Sequence, residues 1–317
     1  MDINDKLKKT IIESIIVISI MVIYAVYGIH YFPSLMLFIP LPFIILGVRN
    51  HIYNNILSII IASLIIQLLL GSTAGASIVL LFGPLSIAIN YCIKYKKKNM
   101  ETILISTGVF VLSFFLIIAL GERLSDFNFT VQLEDFLSQS LNMQLETFKE
   151  LGVSNEELLR LAESIEDHNK SIMVRIPSFL IIISFFISYI NIFLASASLR
   201  KMGYVYVPVQ RFSRFKLPNN IIPGIGIMFL AAFLMKYLEV QYHGALLLNI
   251  TFLVGFIFIV QGLAVLDFLL IRLKIKSIFR FIILALNIII LPTTTILFLI
   301  GVMDSVFDLR KLRRQGS

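Results

Sequence analysis

Residues 244–271 read GALLLNITFLVGFIFIVQGLAVLDFLLI, a run whose single charge is Asp267. About 20 apolar residues in a helix cross the ~30 Å hydrocarbon core of a bilayer, and in lipid such a segment satisfies its own backbone only as a helix. The stretch is therefore predicted to be a membrane-spanning helix. Working outward, comparable runs cover 11–27, 33–48, 55–71, 74–93, 102–120, 172–199, 221–238 and 278–303. The fold class expected is all-α, a polytopic transmembrane helix bundle of eight or nine membrane helices with a small extracytoplasmic helical hairpin.

Composition points the same way. The 317 residues are 58% hydrophobic and 15% charged, against about 45–50% and about 25% in a soluble domain. A soluble globule, a disordered chain and a collagen-like or coiled-coil rod are excluded together. Cys92 is the one cysteine, so no disulfide forms within the chain, and a lone Cys in an apolar run behaves as a small hydrophobe.

The net charge of +8 resolves into two populations: residues 121–172 carry −7 and the remainder +15. Cytoplasmic loops of membrane proteins are enriched in Lys and Arg. With the N-terminus in the cytoplasm, the inner loops hold Lys6, Lys8 and Lys9; Arg49; Lys94, Lys96, Lys97 and Lys98; Arg200 to Lys216; and Arg272 to Arg280. The acidic segment then lies outside. Only the end of the chain resists, because a ninth crossing puts Arg310, Lys311, Arg313 and Arg314 outside, whereas a break at Pro292 and Thr293 to Thr295 lets the last span turn back. Eight and nine crossings both stand, with some preference for the turned-back form.

Three parts follow: an N-terminal five-span membrane module (1–120), an acidic extracytoplasmic helical hairpin (121–171), and a C-terminal membrane module (172–317) with a basic cytoplasmic strip at 200–217. In the hairpin, Leu133, Leu137, Leu141, Leu145 and Phe148 form one helical stripe that Gly152 ends. Ser154 and Glu157 form a capping box that starts a second helix. The strip interleaves Arg211, Arg214 and Lys216 with Phe212 and Phe215, which suits a membrane-surface segment or a docking strip for a cytoplasmic partner.

Polar residues at membrane depth are the candidate sites, since each is costly there. Glu13 and Asp267 are the carboxylates inside the spans as drawn, with Asp267 able to pair with Arg272 or Lys274. The amides Gln67, Asn90, Asn191, Asn249, Gln261 and Asn287 act either as interhelical glue or as cavity lining. Gly71 and Gly75 have the spacing of close helix packing, and Gly83-Pro84 offers a break that points to a pocket. The candidate cavity or ligand-binding set is Gln67, Gly83, Pro84, Asn191, Asn249 and Gln261, with a polar pocket expected near Gln67 and Gly83 and Asn90 placed below it. His30, His51, His168 and His243 lack zinc spacing, and no GxSxG, Walker A or GxGxxG motif occurs. Neither enzyme activity, a metal, a cofactor nor a nucleic-acid partner is expected.

FSRFKLPNNIIPG from Phe212, QGLAVLDFLLIRLKIK from Gln261 and GVMDSVFDLRKLRR from Gly301 resemble the second half of the YybS family of membrane proteins of Gram-positive bacteria. In that family a basic-aromatic strip ending in Leu-Pro accompanies a closing Gly-x-x-Asp and a Phe-x-x-Arg-like tail. IPLPFIILGVR from Ile39 fits the same family, whose activity is uncharacterised. The first half, with PLPFIILGVRN, GSTAGAS and a basic inner loop, is more distantly similar to the substrate-binding S components of energy-coupling-factor vitamin transporters. That likeness implies a cell-membrane protein that binds or helps translocate a small molecule with a coupling partner. The alternative is a non-transporting envelope assembly or scaffold protein.

Overall fold

The computed structural model describes residues 3–71, 74–124, 128–204 and 211–311, and among these it is helical nearly throughout. The helices are α1 (Ile3–Ile23), α2 (Pro40–Arg49), α3 (Ile52–Leu70), α4 (Ala74–Lys94), α5 (Asn99–Leu124), α6 (Phe129–Glu150), α7 (Asn155–Lys201), α8 (Ile221–Tyr237), α9 (His243–Arg272), α10 (Ser277–Ile289) and α11 (Leu291–Phe307).

Among the described residues six helices are long and apolar enough to cross a membrane: Leu7–Tyr31, Ile52–Leu70, Gly75–Lys94, Asn99–Arg123, Asn155–Lys201 and His243–Arg272. The runs at 33–48 and 221–238 form the shorter apolar segments Pro33–Arg49 and Ile221–Tyr237. At 1.5 Å per residue these reach roughly 25 Å, short of a full hydrocarbon core. The run at 278–303 is broken, with Ser277–Ile289 and Pro292–Phe307 bent by 106°. Pro292 cannot donate into the preceding turn, Ile290 is extended, and Thr293 Oγ1 donates to the carbonyls of Asn287 and Ile290, both at 2.7 Å. By length and composition six helices qualify among the described residues, or seven with the bent pair counted as one, beside the eight or nine apolar runs of the sequence.

The described contacts fall into two compact units, the first within Met1–Ile165 and Ile183–Val209 and the second within Glu166–Ile182 and Gln210–Ser317. The division runs through α7.

In the first unit Ile39, Ile44, Leu85, Ile89, Ile192, Ala195 and Leu199 form the centre of the core, each at 0–2% exposure. The helices α3 and α4 touch through Gly75, where a Cβ would lie 2.3 Å from the Ser63 carbonyl oxygen. Gly71 has a different role: its φ of +66° terminates α3. The acidic segment forms α6 and the start of α7, joined through 151–154. Its capping box is present, with Glu157 N–H donating to Ser154 Oγ and Ser154 N–H donating to Glu157 Oε2, each at 3.3 Å. Leu133, Leu137, Leu141, Leu145 and Phe148 are all half-buried, whereas Phe136 and Met143 beside them are exposed.

Candidate functional site

The second unit is organised by the crossing of α9 and α11. A Cβ on Gly262 would stand 2.0 Å from the Leu297 carbonyl oxygen, and one on Gly301 would stand 1.9 Å from that of Phe258. Only glycine permits this approach. It carries the Phe258 and Phe298 rings into an edge-to-face pair at 5.7 Å and sets Gln261 beside Asp304, both fully buried.

Asp304 closes the last turn of α11, and Asp308 behind it takes the left-handed conformation, with φ of 50°. That turn sends the chain back, so that Arg310 reaches Asp304 again. The Asp304 carboxylate accepts from Arg310 Nη2 at 2.8 Å and Nε at 3.2 Å, from the Arg310 backbone N–H at 3.3 Å, and from Gln261 Nε2. The guanidinium also donates to the carbonyls of Ser213 and Phe215, each at 2.7 Å. Gln261 Oε1 accepts from Leu217 N–H at 3.2 Å, and Lys216 Nζ lies 2.6 Å from Asp308 Oδ1.

These bonds determine what the cluster can do. An acceptor-only carboxylate that already receives four donors has little capacity left for a substrate proton. The guanidinium is likewise spent on one carboxylate and two carbonyls. The cluster is a fastening, and what it fastens is the strip. The backbone of residues 213–217 is held while Arg211 and Arg214 remain exposed. Phe212 and Phe215 are half-buried and lie parallel, 6.4 Å apart at 26°.

The other predicted site residues lie apart from this cluster. Asn191 is fully buried and donates to the carbonyls of Leu37 at 2.8 Å and Ile187 at 2.9 Å. Asn249 serves α7 where Pro177 interrupts it. Its Nδ2 donates to the Val174 carbonyl at 2.8 Å, and its Oδ1 accepts from Ser178 N–H at 3.1 Å and Ser178 Oγ at 2.6 Å. Ser178 N–H and Val174 C=O are the groups an uninterrupted helix joins to each other.

Gln67 is exposed on α3. The helix α4 runs through Gly83 and Pro84 without ending, so the expected break does not occur there. The cavity beside Gly83 has a volume of about 10 Å³ and is walled by Met21, Phe43, Ile66 and Phe82, with Ser63 as a polar neighbour. That is barely the room of one water molecule.

Two ion pairs correct or extend the sequence reading. Asp267 pairs with Arg280 at 3.1 Å rather than with Arg272 or Lys274, because the left-handed Lys274 turns the chain and returns α10. Glu13 pairs with Arg49 at 2.6 Å and accepts from Asn50 Nδ2 at 3.0 Å.

Sequence reasoning missed Asp304 and Arg310 as partners. The apolar run at 278–303 ends at Met303, one residue short of Asp304, and in the sequence Arg310 reads as tail charge. The available signal was the Gly301-x-x-Asp304 and Phe307-x-x-Arg310 pattern, and the three stretches that carry the family resemblance converge on this cluster.

Comparison with known proteins gives one match. A family model described as "Predicted membrane protein (DUF2232)" matches residues 14–305. No curated protein and no solved structure matches.

Proposed function

The chain belongs to the DUF2232 family of predicted membrane proteins, and from that premise we propose that this multi-pass integral membrane protein is a non-transporting docking protein of the cell envelope. It presents a fixed basic strip to the cytoplasm and an acidic pair of helices outside. The observation that carries the reading is the fastening of the strip by Arg310, Gln261 and Asp308, which leaves Arg211 and Arg214 outward. Fixing a surface before its partner arrives lowers the ordering cost of binding.

The same contacts support a topology. Arg310 bonds the strip, so both lie on one side, and the bent α10–α11 pair dips in and returns. With a cytoplasmic N-terminus, and with the two 17-residue segments crossing at the lower limit of about 17 residues for a span, this makes eight crossings and puts every Lys- and Arg-rich loop inside. The likeness to the YybS family agrees, since its characteristic stretches are those that build the fastening.

The rival reading, a small-molecule-binding transporter component like an S component, asks for a wet cavity lined by Gln67, Asn191, Asn249 and Gln261. Asn249 and Gln261 use both ends of their amides in protein contacts, Asn191 donates through Nδ2 while its buried Oδ1 accepts no bond among the described residues, and Gln67 lies outside the small cavity at Gly83. A photo-crosslinker at Arg214 should give a discrete protein adduct in cells that disappears with Arg211→Glu, and one at Gln67 should not. Adducts to lipid alone at Arg214 would overturn the docking reading.

A further inference from the structure

A second, larger cavity of about 250 Å³ lies in the first unit between the end of α2, the start of α3 and the last turns of α4. Gly47, Asn50, His51, Ile52, Asn90 and Lys94 line it. Asn90 is 3% exposed, and neither its Nδ2 nor its Oδ1 has a hydrogen-bond partner among the described residues. A buried carboxamide with no partner destabilises the fold that holds it. Its neighbours cannot supply one. The Asn55 amide is taken by Ser86 at 3.1 Å, and that of Asn50 by Thr10 at 2.8 Å and Glu13 at 3.0 Å. Gly47 makes the room, for a Cβ there would stand 2.5 Å from Asn90 Nδ2.

The charges around this cavity favour an anion. The helix α3 begins at His51 with no side-chain cap; the His51 carbonyl takes the Asn54 and Asn55 N–H groups, so Ile52 and Tyr53 carry the N–H groups that have no partner within the helix, and the dipole of a 19-residue helix adds to them. Lys94 and His51 are exposed at the rim, while the nearby Arg49 is already paired with Glu13. Donors come from three elements of the lining: the α3 terminus, the Asn90 amide and Lys94, whose ammonium also lies 5.9 Å from the Tyr95 ring centroid. A phosphate ester presents its three free oxygens in three directions, whereas the acceptor sites of a carboxylate lie in one plane. The Asn90 Oδ1 left over is an acceptor, suited to a hydroxyl.

We infer that this cavity binds a phosphate ester carrying a hydroxyl, supplied either by an anionic phospholipid headgroup or by a soluble phosphorylated molecule. The site is independent of the docking strip, which lies in the other unit.

The test uses the full chain in phosphatidylcholine nanodiscs, titrated with glycerol 3-phosphate, and in nanodiscs that also contain phosphatidylglycerol. Either the soluble ester or the anionic lipid should raise the thermal midpoint, and which one does so identifies the source. Asn90→Leu and Lys94→Gln should each weaken that effect about tenfold, roughly one hydrogen bond to a charged group. Lys94 is exposed, so its variant folds even where Asn90→Leu does not. Stabilisation by neither probe, or an undiminished effect in Lys94→Gln, would overturn the inference.

Discussion

Arg310 Nη2 lies 2.8 Å from Asp304 Oδ2, with 1% and 0% of the two side chains exposed. Such a pair is a weak source of stability when intact, since desolvation offsets most of the attraction, but breaking it leaves an uncompensated buried charge. Arg310→Leu should therefore destabilise the second unit by about 3–5 kcal/mol, read as a lower thermal midpoint and lower membrane abundance. Asp304→Leu with Arg310→Leu should recover much of that loss. A double variant as unstable as the single would mean that the bonds to Ser213 and Phe215, not the charge pair, carry the effect.

Close contact of α9 and α11 should depend on two glycines. Gly262→Ala drives a methyl against the Leu297 carbonyl and should lower thermal stability sharply, while Gly255→Ala, where nothing lies within 4 Å, should be neutral or gain about 0.5–1 kcal/mol of helix stability. Equal behaviour of the two would show that the crossing is looser than described.

At Pro177, the Asn249 amide holds Val174 and Ser178. Asn249→Leu keeps similar volume and removes these bonds, so the expected loss is about 0.6–1.7 kcal/mol, the range for interhelical side-chain bonds in membranes. Thermal unfolding measures it, with Asn287→Leu as the comparison, because Asn287 Nδ2 donates only within its own helix, to Ile283.

Topology can be tested with one introduced thiol. Cys92 is buried, so the native background is silent, and Ser138 is exposed on α6. Ser138→Cys should react with a membrane-impermeant reagent in intact cells. Reaction only after lysis would reverse the orientation.

Much of the architecture was legible because it rests on local chemistry. Apolar runs, the Ser154 and Glu157 box and the break at Pro292 are each encoded within a few residues. Partner choice was not. Asp267 pairs with Arg280 because a left-handed turn at Lys274 brings a later helix back, and no periodicity within α9 reports that turn. The amides at 191, 249 and 261 were visible as costly residues, but whether such a group holds a helix or lines a cavity depends on what faces it from far along the chain. Asp304 was missed for a simpler reason: an apolar run ends on paper at its first charge, whereas the helix continues and buries that charge against Arg310.

The fastening of the strip also sets an order of events. Ser213 and its neighbours are synthesised 97 residues before Arg310, which at ~5–20 residues per second is roughly 5–20 s on the ribosome. During that interval residues 213–217 lack the cation that holds their carbonyls, and the strip becomes a finished surface only when α9, α11 and the turn at Asp308 are all in place. A nascent chain halted before Arg310 thus carries the basic residues of the strip without their shape, so any factor that recognises the shape tells completed molecules from interrupted ones.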